Sequence, residues 1–233
     1  MHNNLLKLKI KERLNKLSSQ DYDNIEDWQI AEAFNKAQVE WVRRQLHGNN
    51  LFKEGDEQST RRVDDLQILL HQKDLTGFNQ GIYFETATLP EDYLQYKRVT
   101  IKGRTITCPP RTFRVYLAEE ADADQLLIDD NSNPNFEWGE TFCTLIGNKI
   151  RIYTNGLFDI VAPKLIYYRQ PRPVQFRGSM DIATGSIYGS DQTSEFKDDI
   201  VELMIDETCS IIAGDIESQL QFQRNSQNAE RNN

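Results

Sequence analysis

DYDNIEDWQIAEAFNKAQVEWVRRQLHG, residues 21–48, is the stretch whose period decides the fold. Trp28, Ala31, Phe34, Ala37, Trp41 and then Gln45/Leu46 recur at steps of three and four, and Ile25, Ile30, Val39 and Val42 widen the apolar stripe. Glu26, Asp27, Glu32, Lys36 and Glu40 fall largely on the other side, which is the period of an amphipathic helix with a broad buried face. Asp23 or Asn24 can cap its start, with Glu26 and Asp27 at the positive end of the dipole. Arg43, Arg44 and His47 stand near the negative end, and Gly48 can take the left-handed stop. Two tryptophans and a phenylalanine on one face bury several kcal/mol of apolar area at roughly 25 cal/mol per Å2. Trp28, Phe34 and Trp41 are expected to be buried together, and the helix to be the spine of a helical layer.

Upstream, Leu5, Leu6, Leu8, Ile10, Leu14 and Leu17 lie in a Lys-rich segment that predicts a first short helix. Downstream, a polar loop around residues 47–57 precedes a third expected helix at about 59–73. The texture then changes to β. Residues 82–84, 97–101, 104–108, 113–117, 142–146, 149–153, 158–161 and 164–168 are strand-like, with Gly103 as a turn and Gly147-Asn148 as a two-residue hairpin. Pro163 marks an edge or bulge. About six antiparallel strands follow from this. Residues 173–193 read as a long flexible loop, and a last helix is expected at about 195–223.

The fold class is therefore α+β: a helical layer with an inserted antiparallel β-sandwich or small barrel. Residues 1–78 and 194–227 form the helical domain and 79–172 the β domain. Residues 173–193 are the loop between, and 228–233 are a polar tail.

The chain has 233 residues and a formal charge of −9, which argues against a nucleic-acid surface over the whole protein and leaves room for a local basic patch. No run approaches the ~18 apolar residues of a membrane span, and the first residues lack the continuous apolar core of a signal peptide. Cys108, Cys143 and Cys209 are widely spaced and read as buried small hydrophobes of a reducing compartment.

Chemistry is sparsely signalled. The sequence has no P-loop and no dinucleotide glycine fingerprint, and His2, His47 and His71 have no ligand-spaced neighbours. Asp122, Asp124, Asp129 and Asp130 form an acidic run that lacks the glycine turn and terminal glutamate of a Ca2+ loop and reads as solvated surface. No catalytic, cofactor-binding or metal-binding residue is assigned. The doublets Arg43/Arg44 and Arg61/Arg62, with the acidic loop of Glu54, Asp56 and Glu57, are the candidate subunit interface.

Several phrases carry a resemblance. They are Tyr22-Asp23-Asn24-Ile25-Glu26, Ile30-Ala31-Glu32-Ala33-Phe34-Asn35-Lys36-Ala37-Gln38, Glu40-Trp41-Val42-Arg43-Arg44-Gln45, Gly55-Asp56-Glu57-Gln58-Ser59 and Arg62-Val63-Asp64-Asp65-Leu66. Downstream come Leu89-Pro90-Glu91-Asp92-Tyr93, Glu137-Trp138-Gly139-Glu140-Thr141-Phe142-Cys143-Thr144-Leu145 and Leu165-Ile166-Tyr167-Tyr168-Arg169. Together they resemble the structural ring (head–tail connector) proteins of crAss-like bacteriophages, over about residues 20–220. More loosely, the plan is similar to the podovirus adaptor and tail tubular protein A group.

The resemblance implies a non-enzymatic virion protein at the head–tail junction, made in the host cytoplasm. It would form a homo-oligomeric, dodecameric ring that joins the portal protein to neighbouring tail ring proteins. Double-stranded DNA would pass through the lumen without being read, with no cofactor and no membrane partner. An acidic lumen would repel the duplex and so suit passage. The competing readings are a small hydrolase with carboxylates in the β-layer and a non-viral β-sandwich binding module.

Overall fold

In a computed structural model that describes residues 1–15, 25–47, 64–181 and 184–215, the spine stretch is helix α2 (Asp27–His47). Gln29 accepts the backbone N–H of Glu26 at 2.9 Å, half of a capping box, while Asp23 and Asn24 lie outside the described residues. Helix α1 (Asn3–Asn15) buries Leu6, Ile10 and Leu14, and a C-terminal helix, α4 (Asp198–Asp215), buries Val201, Met204, Ile205, Cys209 and Ile212. Both show three- and four-residue spacing, and α4 packs against α1 and α2 alike. Trp41 and Phe34 are buried as expected, with the Trp41 ring edge-on to Phe196 at 5.5 Å. Trp28 is a correction: it is only half-buried, because it sits in the first turn of α2 and lines an open cleft. Helix α4 begins at Asp198, later than expected, and its expected residues Ile216 and Leu220 lie outside the described residues.

These helices belong to one of two units in the chain, residues 1–68 with 171–233; the other is Leu69–Gln170. The division falls at 68/69 and 170/171, where the sequence reading placed it at 78/79 and 172/173. In the helical unit, residues 171–196 are tied down by side-chain amides. Asn35 of α2 pairs with Val174 as a strand would, accepting its N–H at 2.7 Å and donating to its carbonyl at 3.1 Å. Buried Gln38 accepts the Ser194 hydroxyl at 2.9 Å, and Asn3 of α1 donates to the Gln175 carbonyl at 2.9 Å. The segment expected as a flexible loop contains a hydrogen-bonded hairpin. Gln175 and Gln192 exchange backbone bonds, and Gly178, Ser179 and Tyr188 continue the ladder.

The β unit is one sheet of eight strands: β1 (Leu70–Asp74), β2 (Gly77–Asn79), β3 (Tyr83–Thr86), β4 (Tyr93–Arg104), β5 (Arg111–Leu117), β6 (Glu140–Ile146), β7 (Lys149–Tyr153) and β8 (Asp159–Arg169). Their order is β1-β8-β4-β5-β6-β7-β3-β2. Strands β1 and β2 are the two edges of this sheet, yet only Leu75 and Thr76 separate them in sequence. Three Cα–Cα steps of ~3.8 Å bridge at most about 11 Å, so the sheet must curl until its edges nearly meet. Strand β5 makes the corner: its first half pairs with β4 and its second half with β6. Side chains from both halves then share one core, including Ile101, Leu165, Phe113, Cys143, Ile152 and Phe84. Bulges add to the curl. Ala162, at φ 50, and Pro163 lie where the β4–β8 register shifts, so Pro163 is indeed at a bulge.

Four sequence expectations are revised. Residues 70–74 are strand, not the end of a helix, because they pair along β8 from Leu70↔Tyr168 to Asp74↔Lys164. Eight strands replace about six. Strand β6 runs parallel to β5, so the layer is not wholly antiparallel, and residues 118–139 make the crossover through the short helix α3 (Ala123–Ile128). Gly103 is no turn: it lies inside β4, and the turn follows at 105–110.

Candidate interaction surface

Of the residues proposed for an interface, Glu54, Asp56, Glu57, Arg61 and Arg62 lie outside the described residues. The other two diverge. Arg44 is used within its own unit, gripping Glu207 of α4 with both guanidinium nitrogens at 2.5 and 2.9 Å and lying 3.7 Å from Glu40. Burial, then the neighbouring Glu207 carboxylate, holds the Glu40 carboxyl above its ordinary value. Arg43 is exposed, at the rim of a cleft of about 610 Å3 lined by Trp28, Glu32, Lys36, Met180 and Tyr188. A second charge cluster locks α1 to α4: Arg13 bonds Glu202 and Asp206, each at 2.7 Å, and Lys9 also pairs with Glu202. Among the described residues, Lys7, Lys9, Arg13 and Arg44 thus hold helices together.

The β unit carries a different kind of surface. Strand alternation sends Val99, Ile101 and Gly103 inward and turns Arg98, Lys102 and Arg104 to solvent. Lys97, Arg111 and Arg114 are exposed as well. From 93 to 118 the sequence holds these six cations and no Asp or Glu. Among the described residues no carboxylate stands within ion-pairing distance of Arg98, Lys102, Arg104 or Arg114; Asp159, opposite Arg104 in the register, accepts the Asn79 amide at 3.2 Å. The β4–β5 turn ends this face with Ile106 wholly exposed beside Cys108, Pro109 and Pro110. Trp138, 79% exposed, sits at the same end, since Arg111 donates to the Glu137 carbonyl at 2.9 Å. The run of cations was legible in the sequence; the placing of Arg98, Lys102, Arg104 and Arg114 on one face depended on the strand alternation, while Arg111 lies over the Phe136 ring.

Two further clusters are internal to the β unit. Glu85 takes Lys149 at 2.8 Å and Arg151 at 3.1 Å, and these bonds draw its carboxyl below the ordinary value. Arg151 also reaches Glu120 at 3.3 Å and lies over the Tyr83 ring. A carboxylate so held is an ion-pair partner, unsuited to general-acid work. In the core, the Tyr96 hydroxyl meets Cys143 Sγ at 3.5 Å and accepts the Val99 N–H at 3.0 Å. Burial pushes both groups up, Cys143 to about 11, so neither ionises near neutrality. Cys209 is likewise buried and pushed up to about 12, whereas Cys108 is exposed, contrary to the sequence expectation, because it lies on the β4–β5 turn.

Among the described residues no group of three or more His, Cys, Asp or Glu is placed to hold a metal ion, and no helix is long and apolar enough to cross a membrane. No protein-family model matches the chain, and no curated protein matches it.

Proposed function

We propose that this chain is a structural assembly subunit, a head–tail connector protein that forms a ring beneath a phage portal and lines part of the DNA path. The family-like phrases supply the specific reading. The observation that carries it is the β unit's exposed end. Ile106 and Trp138 stand in solvent at the end that carries Arg104 and Lys102, which have no ion-pair partner among the described residues, a mixture of apolar anchor and charge that suits a protein contact. The helical unit suits a scaffold, since ion pairs and amide hydrogen bonds fix α1, α2, α4 and residues 171–196 to one another. In this reading the helical unit holds its shape while the β unit presents contacts.

The test is direct. The purified chain, alone and with a candidate portal protein from the same genome, is imaged by electron microscopy and weighed by mass photometry. Closed rings of about twelve copies that dock on the portal are expected. Recovery of the chain in purified virions by mass spectrometry is the second arm. A chain that stays monomeric with portal present, or one that is absent from virions, would overturn the connector reading.

A further inference from the structure

We propose that copies of this chain join head to tail through the β unit, the basic β4–β5 hairpin of one copy seating against the acidic segment 119–130 of the next. The first observation is a charge pattern that neither half explains alone. Residues 93–118 carry six cations and no anion; residues 119–130 carry six anions, Glu119, Glu120, Asp122, Asp124, Asp129 and Asp130, and no cation. All six acidic residues are exposed, as are all six basic ones.

The second observation is the separation of Lys102, Arg104 and Arg111 from that acidic segment; Lys97 and Arg98 lie six to seven residues back from Arg104 along β4, away from the turn. The basic end begins at the β4–β5 turn, before Arg111. The acidic segment starts after Leu117, at the other end of β5. Six strand steps of ~3.3 Å put those ends about 20 Å apart. That exceeds the ~8 Å screening length at physiological salt, so the cations at the turn are screened from the start of the acidic segment within one copy. Asp122 and Asp124 flank Ala123, which packs on Phe142, the partner of Tyr116 near that far end of β5. Each end also carries apolar area left in water: Ile106 and Trp138 on the basic side, and Ile128, 81% exposed, on the acidic side. Exposed ion pairs alone give register and contribute little affinity, so this apolar area is what a lasting contact needs.

A second copy fits these features better than a nucleic acid does. The complement lies on the same unit, with Glu119, Asp122, Asp124, Asp129 and Asp130 in no ion pair among the described residues while Glu120 is held by Arg151, and the net charge of −9 opposes approach of a duplex. Two different complementary patches make a heterologous contact, which closes into a ring or runs on as a filament according to its rotation. The inference deepens the assembly reading by naming the contact, and rests on it only in requiring that copies meet.

The experiment uses the full chain in three forms: unaltered, K102E/R104E and D122K/D124K. Sedimentation velocity is run at low and high salt, with circular dichroism to check each fold. The unaltered chain is expected to associate, more weakly at high salt. Each variant alone should associate at least about tenfold more weakly. An equimolar mixture of the two should recover association, because each reversed patch then meets its opposite on the other variant. If a reversal costs the fold, K102Q/R104Q and D122N/D124N replace it, and weakened, salt-insensitive association is the expected result. Association unchanged by both variants, a mixture that fails to recover, or an unaltered chain that is monomeric throughout would each overturn the proposal. So would a monomeric chain that binds duplex DNA through Lys102 and Arg104. Charge-dependent association of a chain absent from virions would leave this contact standing and remove the connector reading. Portal-docked rings indifferent to both variants would do the reverse.

Discussion

Gly103 has room for a hydrogen and for nothing larger. A Cβ there would stand 2.4 Å from Cε2 of Phe113, whose ring packs against Phe158 at 4.5 Å in the β core. Gly103→Ala is therefore expected to destabilise the β unit by about 1–3 kcal/mol, read from the denaturant midpoint, because the aromatic cluster must shift to admit the methyl. In α2 the two tryptophans should separate. Trp41→Ala opens a cavity beside Phe196 and should cost about 3–5 kcal/mol, whereas Trp28→Ala, at a half-buried site, should cost about 1 kcal/mol. Similar losses at both positions would contradict this packing. The cysteines make a third contrast. Native protein treated with iodoacetamide should be modified at Cys108, while Cys143 and Cys209 react only after unfolding, since burial both hides them and suppresses their thiolates. Mass spectrometry of the native adduct decides it.

Pairs of elements are joined by charges whose response to pH has opposite sign. Between β3 and β7, the Glu85 carboxyl is held below its usual value by Lys149 and then Arg151. A depressed carboxyl contributes stability that is present above the unfolded value of 4.5 and lost as pH falls through the lower folded value. Glu85→Gln should thus lower Tm at pH 7, and the gap should narrow on acidification below 4.5. Between α2 and α4, Glu40 is held above 4.5 by burial and then by Glu207. Its contribution is favourable while the carboxyl is protonated and is lost as pH rises through the folded value. Glu40→Gln should accordingly raise Tm at pH 7 and make little difference near pH 4. Thermal melts of both variants across pH 3–8 check the two signs together. Arg44→Ala would remove the cation that offsets Glu207 and Glu40, with an expected cost of about 1–3 kcal/mol for this partly buried pair.

At the scale of the whole molecule, the β unit is an insertion whose two ends meet. It spans Leu69–Gln170, and near those limits Leu70 and Tyr168 are opposite one another in the β1–β8 ladder. A unit that starts and finishes on neighbouring strands, with its own core of Val99, Ile101, Leu165, Tyr167, Ile150 and Ile152, has what independent folding requires. The isolated fragment 69–170 is expected to melt cooperatively and to give dispersed amide resonances. A fragment lacking both would mean that the sheet depends on the rest of the chain.

The sequence by itself determined the local elements with strong periods. Helix α2 was legible because Ile30, Phe34, Ala37 and Trp41 repeat at the helical step. The β6–β7 hairpin was legible because Gly147, at φ 58, supplies a backbone conformation that a two-residue turn needs. Hydrophobic alternation also located most of β3 to β8. It failed where partners outweigh pattern. Leu70-His71-Gln72-Lys73-Asp74 has no strand-like alternation and is exposed throughout, and only its ladder with β8 makes it β. Gly103 read as a turn because a glycine between two β-rich runs ordinarily is one; the facing Phe113 ring is the reason for it here. The arginine doublet 43–44 looked like a surface device, yet a helix distant in sequence brought Glu207 to Arg44. Charge signs could be read from the chain, but whether a cation was spent on an internal carboxylate or left facing solvent was decided by which strand and helix faces came together. That depends on long-range packing, which no local period records.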